Sequence, residues 1–169
     1  MELLRKLDER EASGKPVSVG IIGCGQMGSG LAHTINNIKG MKVSAIADVE
    51  PQKAISTFME MGWKKDQIAV INKTSEAIDA INSGKALVTE NAIMMTVLDP
   101  VEANIEVTGI PDIGARIAWE SIHLKKPIIM LNVETDITIG TYLSRTARNN
   151  GALYTVASGD EPGVCKMLY

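Results

Sequence analysis

The chain has 169 residues, 45% of them hydrophobic and 22% charged, with a formal net charge of -3. That length holds one domain with one sizeable core, and the mildly acidic balance excludes the electrostatic footprint of a nucleic-acid binder or of a protein that sits on anionic membranes. One Phe, two Trp and three Tyr are too few aromatics for a base-stacking platform.

The first residues, MELLRKLDERE, are charged and lack the apolar segment of a secretory signal. No apolar run approaches membrane-spanning length. Cys24 and Cys165 are far apart and in no metal-ligand spacing. Two lone cysteines in a domain of ordinary size fit a reducing compartment. The expectation is a cytoplasmic protein with no metal site and no nucleic-acid or membrane partner.

Strand-like and helix-like segments then alternate along the chain. ELLRKLDERE carries Leu3, Leu4 and Leu7 at helical spacing and reads as a short amphipathic helix that Gly14 and Pro16 end. VSVGII is the first strand. The helix MGSGLAHTINNI follows, with Leu31, Ile35 and Ile38 on one face and Gly40 as its stop. KVSAIAD is the second strand, and EPQKAISTFMEM is a helix with Pro51 near its first turn. QIAVI is a third, short strand. TSEAIDAINSG is a helix with Thr74 or Ser75 as cap and Gly84 as stop. KALVTENAIMMTVL has strand character in its first half and helix character in its second, and the sequence does not decide between them. ANIEVTG is the next strand. PDIGARIAWESIHLKK is a helix with Pro111 and Asp112 in its first turn and a basic end that suits the helix dipole. PIIMLNV, the helix TIGTYLSRTARNNG and the sixth strand ALYTVAS complete the alternation, and EPGVCKMLY begins another helix.

Six apolar strands alternating with helices predict an α/β fold: a doubly wound, mainly parallel six-stranded sheet of the Rossmann type. Residues 1–15 read as a helical lead-in and 16–169 as a dinucleotide-binding domain. The last helix is cut short, so the expectation is the N-terminal part of a longer enzyme.

The stretch VSVGIIGCGQMGSG places Gly23, Gly25 and Gly28 in the G-x-G-x-x-G spacing, between a predicted strand and a predicted helix. The first glycine allows the tight turn, the second lets backbone approach a pyrophosphate, and the third lets helix pack on strand. Gln26 and Met27 complete the loop at the helix N-terminus, where backbone N–H groups and the dipole favour an anion. Asp48 ends the second strand, twenty residues after Gly28. A carboxylate there accepts the adenosine ribose hydroxyls and repels a 2′-phosphate, so the cofactor is NAD or NADP with NAD favoured; Lys53 partly offsets the preference. The alternative for Asp48 is a cap on the helix that begins near Pro51. Cys24, inside the loop, reads as a small residue filling a tight turn. His33 and His123 fall within helices, away from strand ends, and read as surface or packing residues.

Three polar clusters fall at the carboxyl ends of later strands, where ligands of this fold lie. They are EVTG (Glu106 to Gly109), NVETD (Asn132 to Asp136) and SGDEPG (Ser158 to Gly163). Each also reads as a turn or a helix cap. Together they would surround the nicotinamide half of a cofactor. Glu134, Asp136, Asp160 and Glu161 are the candidate acid–base groups.

In this order, VGIIGCGQMGSG, IEVTG, IIMLNVETD and SGDEPG resemble the cofactor domain of the homoserine dehydrogenase-like family. The nearest branch is the one that carries a C-terminal SAF domain and includes 1-deoxyxylulose-5-phosphate reductoisomerase-like enzymes. The resemblance implies an NAD(P)-dependent oxidoreductase acting on a small polar carbonyl or alcohol. It also implies a substrate-binding and oligomerising region after Tyr169, hence a homo-oligomer in the full-length protein. On that pattern Gly23, Gly25, Gly28 and Asp48 hold the dinucleotide, Thr108, Gly109 and Asn132 hold its nicotinamide side, and Glu134, Asp160 and Glu161 face the substrate. One departure is clear: homoserine dehydrogenases usually carry Asn-Lys where this chain has Asn132-Val133, which argues against homoserine itself. The competing reading is a non-catalytic NAD(H)-sensing regulatory module, which needs the glycine loop and Asp48 but not the acidic clusters.

Overall fold

The structure, a computed structural model, describes residues 2–157. Asp160, Glu161, Cys165, the SGDEPG cluster and the helix read at EPGVCKMLY lie outside the described residues. The elements are α1 (Glu2–Ala12), β1 (Val17–Ile22), α2 (Gln26–Asn36), β2 (Met41–Ala47), α3 (Pro51–Glu60), β3 (Ile68–Val70), α4 (Thr74–Asn82), β4 (Ala86–Thr89), β5 (Ala103–Glu106), α5 (Pro111–His123), β6 (Ile128–Met130), α6 (Val133–Asn150) and β7 (Tyr154–Val156). Short 3-10 turns cover Lys65–Gln67 and Ala92–Val97.

All seven strands form one sheet in the order β3-β4-β2-β1-β5-β6-β7, and every pairing is parallel. The seventh strand beyond the six expected comes from the undecided stretch: Ala86–Thr89 is extended and fully buried, and the Met-rich half that follows is a 3-10 turn rather than an α-helix. Apolar residues run on both sides of Glu90 and Asn91, and neither run shows a period of two or of 3.6 that would tell strand from turn.

The inner strands bury both faces, which is why they read as unbroken apolar runs, whereas the edge strands β3 and β7 are partly exposed. On one face Ile22, Ala45, Ala47, Leu87, Ile128 and Met130 pack with Ile117 and Ile122 of α5 and Leu143 of α6. On the other, Val19, Ile21, Val43, Ile46 and Val88 pack with Ala32 and Ile35 of α2 and Ala54 and Phe58 of α3. Gly20 interrupts β1 at a register shift between Val19 and Gly20. A Cβ there would lie 2.4 Å from Asn104 Oδ1 and 2.6 Å from Met95 Cε, so the missing side chain makes room for both.

Several helix ends follow the sequence. Pro51 and Pro111 sit in the first turns of α3 and α5, and Gly151 closes α6 in the left-handed conformation, φ 64°. Others do not. Lys73, rather than Thr74 or Ser75, occupies the N-cap of α4. α6 begins at Val133 rather than at Thr138, and the helix-cap reading of NVETD holds there: Asn132 is the N-cap of α6, and Glu134 and Asp136 lie in its first turn. The amphipathic α1 buries none of its residues, and Leu3 and Leu4 are exposed. It docks through backbone, the Leu7 carbonyl lying where a Cβ on Gly40 would otherwise fall, and through an Arg10–Glu102 ion pair. No described helix is long and apolar enough to cross a membrane.

Candidate functional site

Ladder register puts the site at one edge. Ile22 is level with Ala47 and with Glu106, Ala47 with Thr89, and Glu106 with Met130. The carboxyl ends of β4, β2, β1, β5 and β6 therefore form a row. The chain leaves β1 toward β2 on one side and later returns to pair β5 on the other, the reversal of strand order at which α/β sheets open a crevice. A cleft of about 450 Å³ lies there. Gly23 and Gly25 line it from the loop after β1, and Asp48, Val49, Glu50 and Lys53 from the β2 side. Asn91 and Ile93 close one wall, and Thr108, Ile110, Ile113, Arg116 and Ile117 the other.

Each glycine of the loop meets different surroundings. Gly23 adopts φ +100° and sits against the backbone of Thr108, a Cβ there being 3.0 Å from its N and Cα atoms. Its N–H donates to the Ala47 carbonyl at 2.8 Å. Gly28 is wedged into the turn: a Cβ would fall 2.0 Å from the Gly23 carbonyl oxygen. Gly25 is the opposite case, with nothing within 4 Å of a Cβ and an ordinary extended backbone (φ -73°, ψ -165°) as the N-cap of α2. Gly25 offers no side chain to cap that helix, so its first-turn N–H groups keep no intrahelical partner. Gln26 and Met27 occupy that turn and are exposed, Met27 by 66%.

Asp48 ties the loop to the next helix. Its Oδ2 accepts the Cys24 N–H at 2.6 Å and its Oδ1 the Glu50 N–H at 2.8 Å. Asp48 is not the cap of α3, whose N-cap is Glu50 with no side-chain cap bond; each of the Asp48 carboxylate oxygens has one acceptor direction committed and another free. Lys53 pairs with Glu50 rather than standing as a free cation. Cys24 is buried beside the Thr57 hydroxyl, 3.3 Å away. Burial pushes its thiol pKa up, which disfavours a reactive thiolate.

On the far side, Thr108 lines the cleft, and Gly109, with φ 67°, gives the turn its left-handed residue. Asn132 stands behind this turn. Its side chain is 1% exposed; Oδ1 accepts the Thr135 N–H at 3.1 Å and Nδ2 donates to the Ile110 carbonyl at 3.2 Å. Its contribution to the cleft is therefore to hold residues 108–110 in place. Glu134 is exposed on the first turn of α6, and Asp136 accepts the Tyr154 hydroxyl at 2.8 Å. His33 meets Glu60 at the surface, and His123 lies against Trp119. Among the described residues no group of three or more His, Cys, Asp or Glu is placed to hold a metal ion.

One wall of the cleft escaped the sequence reading, and Glu106, read with the EVTG cluster as bordering the ligand, lies elsewhere. The Ile110, Ile113, Ile117 stripe and Arg116 build the α5 wall, and the helical spacing of the isoleucines was the signal available for it. Glu106 is fully buried at the end of β5. Burial raises its pKa, against the opposing pull of donors on Thr108 and Asn132.

No protein-family model matches the sequence, and no curated protein matches it. Solved structures do. Myo-inositol dehydrogenase of Lactobacillus casei, in complex with NAD(H) and myo-inositol, superposes with a TM-score of 0.64 at 15% identity, over 84% of this chain and 36% of that one. A 3-ketoreductase of Actinomadura kijaniata, in complex with TDP-benzene and NADP, gives 0.61 at 19% identity, over 90% and 42%. A homoserine dehydrogenase of Thiobacillus denitrificans gives 0.58 at 16%, over 84% and 29%. At such identities the likeness is one of fold. This is a Rossmann domain. It spans well under half the length of each of these proteins.

Proposed function

We propose that this Rossmann domain binds a nicotinamide dinucleotide and serves hydride transfer between that cofactor and a small polar carbonyl or alcohol. The observation that carries the reading is the division of labour among the glycines. Two are fixed by packing, and the third, Gly25, is bare where packing asks for nothing. A position that the fold leaves free, at an uncapped helix N-terminus facing a cleft, fits a pyrophosphate. Asp48, with free acceptor directions, fits the adenosine ribose, and its charge together with that of Glu50 supports NAD over NADP. The nicotinamide itself would supply the hydride chemistry; the chain's part is to bind, orient and exclude water.

The finer reading is homoserine dehydrogenase-like, in the branch with a SAF domain, cytoplasmic, and homo-oligomeric in a longer protein. Those points rest on the sequence segments quoted above. Glu134, Asp160 and Glu161 are proposed to face the substrate, and the exposure of Glu134 on the first turn of α6 supports its place in that set.

Thermal unfolding with NAD, NADH, NADP and NADPH at millimolar concentration tests the reading. A ligand that binds only the folded state raises Tm in proportion to ln(1 + [L]/Kd). The expected result is a rise with at least one dinucleotide, larger for the NAD pair, and loss of that preference in Asp48→Ala. No rise with any of the four sinks the proposal.

A further inference from the structure

The exits of β1, β2 and β4 form a staircase of bonds. The Gly23 N–H donates to the Ala47 carbonyl at 2.8 Å, and the Asp48 N–H to the Thr89 carbonyl at 3.0 Å. The first residues past these strands, Gly23, Asp48 and Glu90, therefore stand side by side, about 4.8 Å from one strand to the next. All three line the cleft, and Asn91 follows Glu90 on the same wall. A dinucleotide with its pyrophosphate on the loop after β1 and its adenosine ribose on Asp48 runs along this row. The next group it brings, at the end of β4, is the base.

Glu90 and Asn91 are oriented by bonds of their own. The Glu90 N–H donates to Asn72 Oδ1 at 2.9 Å, as the Thr89 hydroxyl does at 2.8 Å. A backbone N–H can only donate, so the Asn72 amide is fixed with Nδ2 toward Glu90, where it donates to Oε2 at 3.1 Å. Among the described residues Glu90 Oε1 accepts no bond. The Met94 N–H fixes Asn91 by the same logic: it donates to Oδ1 at 3.2 Å, which leaves Nδ2 as a donor with no partner among the described residues. Both side chains belong to exposed residues. The end of β4 thus presents a carboxylate, which accepts, next to an amide N–H, which donates. Ile93 on this wall and Ile113 and Ile117 on the facing one supply apolar surface for the faces of a ring.

An acceptor beside a donor is the complement of one edge of adenine, whose 6-amino group donates and whose neighbouring ring nitrogen accepts. A 6-keto purine offers the reverse, a keto oxygen that accepts and a ring N–H that donates. We propose that Glu90 and Asn91 select the base of the dinucleotide, Glu90 accepting from the 6-amino group of adenine and Asn91 Nδ2 donating to the ring nitrogen beside it. This rests on the dinucleotide reading above.

Calorimetric titration with NADH and with reduced nicotinamide hypoxanthine dinucleotide, which carries a 6-keto group in place of the amino group, tests the pair. The wild type is expected to bind NADH at least about tenfold more tightly, the scale of one hydrogen bond to a charged group. Glu90→Gln can turn an amide N–H toward the keto oxygen, and is expected to bring the two ligands within about threefold of each other by tightening the hypoxanthine form. Asn91→Asp keeps the oxygen that accepts from Met94 but replaces the donor by an acceptor, and is expected to narrow the ratio by weakening NADH. Equal affinity of the wild type for the two ligands overturns the inference and leaves the dinucleotide reading standing. A ratio that neither variant changes overturns it as well. So does a Glu90→Gln protein that gains only in NADPH affinity, because Glu90 would then act by charge on the 2′-phosphate rather than on the base. Failure of the wild type to bind NADH overturns the dinucleotide reading, and this inference with it.

Discussion

Gly25 and Gly28 are three positions apart and identical in chemistry, yet opposite in what they do. Gly28 answers to packing, because a Cβ would collide with the Gly23 carbonyl at 2.0 Å. Gly25 answers to nothing inside the protein. Alanine at each should therefore separate stability from binding. Gly28→Ala is expected to lose about 3 kcal/mol, as overpacking against rigid backbone does. Gly25→Ala, in a conformation any residue adopts, is expected to unfold within about 0.5 kcal/mol of wild type while binding NADH at least tenfold more weakly. Urea unfolding and an NADH titration on both proteins check this. Equal affinity in Gly25→Ala would remove the principal support for the cofactor site. The G-x-G-x-x-G spacing and Asp48 were legible in the sequence because they serve local geometry at fixed offsets. Glu106 was not, because nothing local distinguishes a carboxylate that faces a ligand from one buried behind the wall that does.

Element boundaries tell a similar story. The α6 N-terminus lies at Val133 rather than at Thr138, where the pattern of TIGTYL begins, since Asn132 caps it and places Glu134 and Asp136 on the first turn. Acids there suit the helix dipole, so the same residues that read as a ligand-facing cluster also make good first-turn residues. That double meaning is why sequence alone could not divide the cluster between roles. Asn132 also links two elements, capping α6 through Oδ1 and holding the turn before α5 through Nδ2. Asn132→Ala is expected to cost about 2 kcal/mol, more than a lost cap alone, because the Ile110 carbonyl also loses its donor. Asn132→Asp, which keeps the capping oxygen, should fall between. Chemical denaturation of the two variants checks the order, and equal losses would assign the whole effect to the turn. The 86–98 stretch was undecided for a different reason: Ala86–Thr89 is buried at every position and so shows no period, and only pairing with β2 and β3 makes it a strand.

For the molecule as a whole, burial of Glu106 sets a pH dependence of stability. Its folded-state pKa is raised by burial above the ordinary carboxylate value. Below that ordinary value the acid is protonated whether the chain is folded or not, and burial adds no ionisation cost. As pH rises, the unfolded chain releases its proton first, so stability falls until pH passes the raised value and then levels off. Glu106→Gln has no such proton to lose. Its stability relative to wild type should therefore increase across that window, measured by urea unfolding at a series of pH values; a difference constant with pH would mean that Glu106 titrates alike in both states. The strand order carries a consequence for how the chain is made. Residues 17–89 supply β1, β2, β3 and β4, half of the sheet in one continuous piece, whereas the strand that flanks β1 on its other side, β5, begins only at Ala103. Pairing across such a separation is slow, because loop closure precedes its reward. A nascent chain emerging from the ribosome thus carries its glycine loop and Asp48 before Thr108 exists to face them, and the cleft, lying on the seam between the two halves, cannot form until the second half has begun.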